Sequence, residues 1–416
     1  MNIMTKRGSQ DNVNIYEHYC DTKADLDNIP KDQIGLGSTA IVLKDENGEL
    51  GVYLADSNKE WIPISMSSGD SGTDTGESKE NDIIMGTLSG VYENSVATKI
   101  KFGAFEGCAS LTAVNFPVCT TIESRAFYEC RSLESINFPM CSLIESEAFK
   151  YCNITAADFP LCSFISGSAF ANCYNLETIS FPNCTNIGEY AFYENSAITE
   201  AIFPKCYTIG TSAFYACHSI SNISFPNCTD INEEAFYFTD VRSADFSKCR
   251  SIGPYAFWGC KNLSIANFPS CTNIGSNAFA SCYNLSSINF PLCQYIYSYA
   301  FTACSALTIA NLPECKKINY MTFGDCKNLT TCILPKCSAL DDFAFYCCYN
   351  LLSLYLLSTS YVSLSRDPFY ETPISDNTTS TGGVYGSIYV PASMIETYKT
   401  MAYWSRYSSR FVAYDE

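Results

Sequence analysis

A motif of about 22 residues recurs through most of this 416-residue chain. Its marker is the dipeptide Ala-Phe, with Thr322 in place of Ala once, and steps of 21 or 22 residues separate Phe at 105, 127, 149, 170, 192, 214, 236, 257, 279, 301, 323 and 345. Pro368-Phe369 is a candidate last, degenerate copy. Because one such unit cannot bury its apolar side alone, neighbouring units are expected to stack into a quasi-one-dimensional solenoid.

One unit reads LxxIxFPxCxxIxxxAFxxCxx. Within residues 133–139, Leu133, Ile136 and Phe138 are predicted to point inward and Asn137 outward, which is the alternation of a short strand. The strand is expected to stop at Pro139, which has no N–H to donate to a sheet. One short strand in a period of roughly 20–29 residues is the leucine-rich-repeat pattern. We therefore predict a β-rich (α/β) leucine-rich-repeat solenoid of about 12 repeats over residues 83–383.

The units FPxCxxIxxxAFxxCxxL resemble the BspA-like leucine-rich repeats, which occur in bacterial surface proteins, some protist proteins and proteins of phage genomes. The segment GSIYVPASMIETYKTMAYWSRYSSRFVAYDE, 386–416, looks like the C-terminal cap of that family, a strand followed by a helix and a second strand. We place this strand-helix-strand cap at 384–416. The resemblance covers about residues 82–416 and implies the fold, whereas the ligands of such scaffolds differ between members.

Residues 1–66 do not follow the repeat and are predicted to form a small β-rich attachment domain. AIVLKDENGELGVYLADSNKEWIPI, 40–64, is typical of two strands around a Glu-Asn-Gly turn and a third after Asp-Ser-Asn. Residues 67–82 are rich in Ser, Gly, Thr and acidic residues, which predicts a flexible linker. Residues 21–64 are similar to N-terminal segments of phage virion appendage proteins, a resemblance that implies docking to a particle.

The charge of the chain excludes several partners. It has 43 acidic and 25 basic residues, and a net charge of −18 repels nucleic acid and anionic membranes. No apolar run follows Lys6 and Arg7, so we expect no secretory signal. No segment approaches the roughly 18 uninterrupted apolar residues of a membrane span, so no membrane insertion is expected.

The 24 cysteines follow the repeat. Eleven lie two residues after Phe-Pro or its equivalent, and ten lie three residues after the Phe of Ala-Phe. They could form a disulfide or metal framework, or two ladders of small buried thiols. In-register parallel side chains point the same way, no CxxC pair occurs, and histidine is limited to His18 and His218. We expect free thiols, no metal, no cofactor and no enzymatic activity.

An aromatic stripe is the first candidate binding surface. A column that follows the Ala-Phe pairs contains four consecutive aromatic residues, with two tyrosines near it: Tyr193, Tyr215, Tyr237 and Trp258, with Tyr190 and Tyr255. Tyrosine and tryptophan offer rigid, amphipathic contact area to sugars and to protein partners. The same residues could instead serve to pack adjacent turns of the solenoid.

A polar row on the outward side of the predicted strands is the alternative surface. It is mildly acidic and could hydrogen-bond a sugar or an extended peptide, or could be an ordinary solvated sheet. Its members are Asp158, Ser180, Ser224, Asp245, Asn267 and Asn289.

Two functions fit these features. The first is a non-enzymatic phage virion appendage on the virion surface, in which the N-terminal domain binds a virion structural protein and the solenoid binds a host-surface protein or glycan. The alternative is a BspA-like adhesin, at the bacterial cell surface or secreted. The expected lack of a signal and of a wall-sorting tail favours the first. A homo-oligomer is compatible with both.

Overall fold

A computed structural model describes residues 88–375 and 385–414, together with the backbone of six strands between residues 3 and 73. The strands are β1 (Ile3–Gln10), β2 (Val13–Thr22), β3 (Thr39–Lys44), β4 (Gly51–Ala55), β5 (Trp61–Ile64), β6 (Gly72–Thr73), β7 (Ser89–Glu93), β8 (Lys99–Ile100), β9 (Ser110–Asn115), β10 (Thr121–Ile122), β11 (Ser135–Asn137), β12 (Leu143–Ile144), β13 (Ala156–Asp158), β14 (Phe164–Ile165), β15 (Thr178–Ser180), β16 (Asn186–Ile187), β17 (Glu200–Ile202), β18 (Thr208–Ile209), β19 (Asn222–Ser224), β20 (Asp230–Ile231), β21 (Ser243–Asp245), β22 (Ser251–Ile252), β23 (Ile265–Asn267), β24 (Asn273–Ile274), β25 (Ser287–Asn289), β26 (Tyr295–Ile296), β27 (Ile309–Asn311), β28 (Lys317–Ile318), β29 (Thr331–Ile333), β30 (Ala339–Leu340), β31 (Ser353–Tyr355), β32 (Ser363–Leu364), β33 (Ser387–Pro391) and β34 (Phe411–Tyr414). Helical elements of the described residues lie near the C-terminus: the 3-10 turns η1 (Ala392–Met394) and η2 (Ser405–Arg410) and the helix α1 (Ile395–Thr400).

The N-terminal strands form a five-stranded sheet in the order β1-β2-β3-β4-β5. β3, β4 and β5 lie where the sequence predicts three strands within 40–64, and β1 and β2 are additional. The two-residue strand β6 falls inside the predicted linker. The side chains of residues 1–87 lie outside the described residues, so the domain boundary at residue 66 and the linker at 67–82 stay predictions.

Each coil of the solenoid contains two strands, where the sequence predicts one. The first has three residues in most coils, as in β11, and the second has two, as in β12. The second strands, β8 to β32, form one continuous parallel sheet of 13 strands, and the first strands form several shorter parallel sheets. The second strand contributes a single fully buried side chain in most coils, such as Ile144, which is too short an apolar pattern to identify a strand.

The third side of each coil, which we call the turn side, carries the Ala-Phe pair and consists of successive tight turns. Around Phe149, Glu147 and Tyr151 adopt left-handed conformations with φ of 58° and 64°. The N–H groups of Glu147, Phe149 and Tyr151 donate to carbonyls of the next coil at 2.8–3.1 Å, whereas those of Ala148 and Lys150 donate within their own coil. The alternation satisfies every N–H of this segment without a helix or a strand.

The core is built from two columns of phenylalanine. Phe149, from an Ala-Phe pair, stacks on Phe127 of the preceding coil with ring centroids 5.1 Å apart. It also meets Phe138, from a Phe-Pro pair, edge to face at 5.9 Å. Phe369 stacks on Phe345 at 5.8 Å, which confirms the degenerate last copy. The described residues therefore contain 13 coils with this phenylalanine, one more than the twelve clear copies in the sequence.

The 23 cysteines of the described residues are free and buried. The ladder that follows Ala-Phe has a polar role as well as a packing role, because Cys152 Sγ donates to the carbonyl of Phe127 at 3.0 Å. Where Asn195 replaces cysteine, its Nδ2 donates to the carbonyl of Phe170 at 2.8 Å. The position therefore selects a small side chain that can hydrogen-bond a buried carbonyl.

We expect the native protein to react very slowly with Ellman's reagent near neutral pH. Burial raises the pKa of Cys173 and Cys206 to about 12, so little of either thiol is the reactive thiolate. After unfolding in guanidinium chloride under non-oxidising conditions, nearly all 24 cysteines should react. Rapid reaction of many thiols in the native protein, or ten or more disulfides after unfolding, would contradict this account.

The C-terminal segment closes the last coil, as the sequence predicts, with β33, α1 and β34 as strand, helix and strand. Trp404 Nε1 donates to the carbonyl of Val362 at 2.7 Å, and the N–H of Val362 donates to the Tyr398 hydroxyl at 3.0 Å. Tyr407 meets Phe369 edge to face at 5.3 Å. Three aromatic side chains thus cover the end of the phenylalanine columns. Within the described residues, no helix is long and apolar enough to cross a membrane.

Candidate binding surface

Tyr193, Tyr215, Tyr237 and Trp258 form a continuous stack across four coils, which we call the aromatic stack. The ring centroids are 4.9 Å apart from Tyr193 to Tyr215, 4.6 Å from Tyr215 to Tyr237 and 4.7 Å from Tyr237 to Trp258. The ring planes of each pair deviate by 13° or less. All four side chains are half-buried.

The backbone of the turn side sets this geometry. Each member of the stack follows the phenylalanine of an Ala-Phe pair, and the N–H of Tyr193 donates within its coil to Tyr190 at 3.1 Å. Successive coils lie about 4.8 Å apart, which is close to the separation of stacked rings. The packing interpretation therefore holds, since the rings do pack between adjacent turns. Stacking occupies the ring faces inside the row and leaves hydroxyls and ring edges to meet a ligand.

Three further aromatic residues flank the stack. Tyr190 is 40% exposed and meets Tyr193 edge to face at 5.7 Å. Tyr255 is half-buried, and its phenol interacts electrostatically with that of Tyr237. Sequence reasoning missed Phe238, which meets both Tyr237 and Trp258 edge to face at 4.8 and 4.7 Å. In the sequence, Gly259 indicates the position of Phe238, because a Cβ at residue 259 would lie only 2.7 Å from the Phe238 ring.

The stack lies beside carboxylates. Burial, together with the neighbouring Glu194 carboxylate, raises the pKa of Tyr193 to about 12. Burial also raises the pKa of Tyr215 and Tyr237, and the charge of Glu234 adds to both shifts. The hydroxyls stay protonated at neutral pH and can donate hydrogen bonds, while the carboxylates can accept them. This arrangement is suited to binding polar ligands and provides no activated nucleophile.

The stack ends at Trp258 because the next residue of the column is Ala280, which is 3% exposed. Among the described rings, none stacks in parallel on the second face of Trp258.

The structure places the polar row on a different side of the coil, where it bonds partly to itself. Asn267 Nδ2 donates to Asp245 Oδ1 and Asn289 Nδ2 donates to Asn267 Oδ1, each at 2.7 Å. Asp158 lies opposite Ser180 in the register of β13 and β15, and Ser224 ends β19. The sequence prediction overlooked Ile202, which is 46% exposed and interrupts the row between Ser180 and Ser224. These hydrogen bonds between side chains leave fewer polar groups of the row free to bind a ligand.

The histidine and the cysteine pair that stand out chemically belong to neither the aromatic stack nor the polar row. No group of three His, Cys, Asp or Glu residues there could hold a metal ion. His218 is exposed, and its Nδ1 lies 2.9 Å from the carbonyl oxygen of Phe238. Cys347 is 4% exposed with Sγ 3.5 Å from Glu371 Oε2, and burial raises its pKa, so it is a poor nucleophile.

Parallel coils of 21 to 22 residues, with a constant core and a variable exterior, define a leucine-rich-repeat protein. The sequence matches the BspA type Leucine rich repeat region at residues 98–206, 142–264, 185–308 and 272–382, which together span more than half of the chain. The chain belongs to this family. No protein with a curated function matches the sequence significantly.

Three solved structures show the extent of the likeness. A leucine-rich repeat protein of Bacteroides ovatus has a TM-score of 0.48 and 20% identity, over 77% of this chain and 93% of that one. A leucine rich cell surface protein of Faecalibacterium prausnitzii has a TM-score of 0.40 and 18% identity, over 81% of this chain and 96% of that one. The pneumococcal vaccine antigen PcpA has a TM-score of 0.46 and 16% identity, over 91% of this chain and 97% of that one. The likeness is one of repeat architecture. The family match begins at residue 98, so it does not support the phage resemblance of residues 21–64.

Proposed function

We propose that this chain is a non-enzymatic binding protein of bacterial surfaces that attaches to a protein or glycan through its solenoid. This reverses the order of the two functions expected from the sequence. The chain belongs to the BspA-type family, and repeats of this type occur in bacterial surface proteins. This membership supports the adhesin as the function. The virion appendage and its N-terminal docking to a virion structural protein rest only on the resemblance of residues 21–64.

The observation that carries the proposal is the aromatic stack. Partly exposed tyrosine and tryptophan side chains are the residues most often found at the energetic centre of interfaces. Four in an uninterrupted row make a rigid surface that loses little conformational entropy on binding, because stacking already fixes each ring. Since the hydroxyls repeat about every 4.8 Å along the axis, an extended ligand parallel to the solenoid would contact several of them at once.

Binding should weaken strongly when the four residues of the stack are changed together to Ala. Truncation of a central aromatic anchor commonly costs about 2 kcal/mol or more, roughly a thirtyfold loss of affinity. The variant Y193F/Y215F/Y237F keeps the rings and removes three hydroxyls, so its loss should be smaller, on the order of tenfold. Immobilised mucin, a printed glycan array and intact bacterial cells are suitable probes, with affinity measured for the full chain.

A matched control changes four tyrosines elsewhere to Ala, namely Tyr283, Tyr295, Tyr297 and Tyr361, which are 45–59% exposed. This control should bind as the unchanged chain does, and circular dichroism should show that all variants are folded. A folded quadruple variant of the stack with unchanged binding would eliminate the stack as the site. The polar row from Asp158 to Asn289 would then be the next surface to change.

A further inference from the structure

Among the described strands, β34 is the last of the sheet that carries the first strands. β34 pairs with β33 and is the outer strand of the sheet β27-β29-β31-β33-β34. Tyr398, Trp404 and Tyr407 cover the phenylalanine columns, and Tyr398 and Trp404 also contact the Phe411 ring of β34, with ring centroids 5.5 and 5.8 Å apart. Val412 and Tyr414 are 39% and 37% exposed. Among the described residues, no strand pairs with the outer side of β34, so its outer N–H and C=O groups are available to another strand.

The surface beside this edge differs from the rest of the strand face. In the register of the last strands, Asn311, Ile333, Tyr355, Tyr389 and Val412 follow one another on the outward side. Tyr355 stacks on Tyr389 at 4.4 Å and meets Tyr414 edge to face at 5.6 Å. The polar column thus becomes an apolar stripe, defined as Ile333, Tyr355, Tyr389, Val412 and Tyr414. An apolar stripe that runs up to an unpaired strand favours association at that edge.

We propose that β34 pairs antiparallel with β34 of a second copy of this chain, around a two-fold axis at Ala413. A two-fold axis perpendicular to the sheet reverses the strand direction and keeps the outward side outward, so one contact satisfies both edges. This register places Val412 opposite the partner's Tyr414 and Tyr414 opposite the partner's Val412. The two stripes become continuous, and the small Ala413 at the axis allows close approach.

The chemistry of the edge favours a second copy over an unrelated strand. An apolar stripe needs an apolar partner surface next to the paired strand, and the two-fold copy supplies the same stripe. The net charge of −18 on each copy opposes the pairing, so salt should strengthen the dimer by screening the repulsion between the two solenoids. The inference does not depend on the proposed ligand of the aromatic stack.

Sedimentation velocity of the full chain at micromolar concentrations, with a reductant, tests the pairing. The unchanged chain should be dimeric. The dimer dissociation constant of V412K/Y414K should be about tenfold higher or more, because like charges then lie directly opposite one another. The control Y283K/Y361K introduces the same charges at sites 45% and 59% exposed and should stay dimeric. A monomeric unchanged chain, or a V412K/Y414K variant that dimerises normally, would overturn the proposal.

The variant Ala413→Cys tests the register itself. Cysteines facing each other across the axis should form an interchain disulfide under mild oxidation, which non-reducing electrophoresis detects. The control Tyr403→Cys lies in the same cap at a residue 54% exposed and should not cross-link above the background of the unchanged chain. A dimer that Ala413→Cys fails to cross-link would use another surface, and the proposed pairing would be wrong.

Discussion

Raising the pH from about 8 to about 10 is expected to unfold the solenoid, because its thiols are buried in the protonated form. Burial raises the pKa of Cys119 and Cys162 from 9.0 to about 11, and of Cys173 and Cys206 from 9.0 to about 12. The folded chain thus keeps these protons at pH values where the unfolded chain has lost them. Stability is full below about pH 9 and falls as the pH rises towards the folded pKa values.

The size of the effect follows from the number of thiols. Within this window each thiol costs about 1.4 kcal/mol of stability per pH unit. A domain is stable by only about 5–15 kcal/mol, so a dozen thiols are sufficient to unfold it. The urea midpoint, followed by circular dichroism in the presence of reductant, should stay nearly constant up to about pH 9 and fall steeply between about pH 9 and 10.

Substitutions within one cysteine ladder provide the control. Thr239 and Thr372 already occupy equivalent positions and donate to buried carbonyls at 3.0 and 2.9 Å, so threonine is compatible with the ladder. A variant with threonine at Cys152, Cys217, Cys282 and Cys326 should show a shallower dependence on pH, in proportion to the thiols removed. A midpoint that stays constant between about pH 9 and 10 is incompatible with this account.

Phe214→Ala should be the most destabilising single substitution of those considered. Phe214 is fully buried and stacks between Phe192 and Phe236, with centroid distances of 5.2 and 5.4 Å. Its truncation leaves a cavity in a continuous column, and such changes cost about 3–5 kcal/mol. Since each coil contacts only its neighbours, unfolding in denaturant should begin at the affected coil and broaden or split the transition.

Phe164→Ala removes the same side chain at a site 41% exposed and is the matched comparison. It should cost clearly less than Phe214→Ala, because less buried area is lost. Equal losses for the two variants would show that the phenylalanine column is not the main source of stability.

The sequence predicts the solenoid well because each structural requirement is repeated in every coil. The inward direction of Leu133 and Phe138, the outward direction of Asn137 and the buried thiols are confirmed. The column that becomes the aromatic stack is also readable from the period. Whether its ring faces are free or stacked depends on the coil spacing and the side-chain conformations, and the structure shows them stacked.

Features that occur once escaped prediction for the opposite reason. Phe238 reaches Trp258 only because Gly259 provides space in the next coil, a relation between single residues. The apolar stripe depends on β34 returning to pair with β33 after the cap helix, which no local pattern indicates. The second strand of each coil escaped because its apolar signal is one side chain long.

The alternating hydrogen bonds of the turn side have a consequence for how the chain can change over generations. Each coil donates to the next through the same backbone positions, as in Phe127 to Ala148 and Phe149 to Ala169. Duplication or loss of one whole unit therefore leaves every remaining donor opposite an acceptor, whereas a partial unit would misplace all three sides. Unequal recombination between units can lengthen or shorten the protein in steps of about 4.8 Å. The length of the solenoid is thus set by the inherited number of repeats.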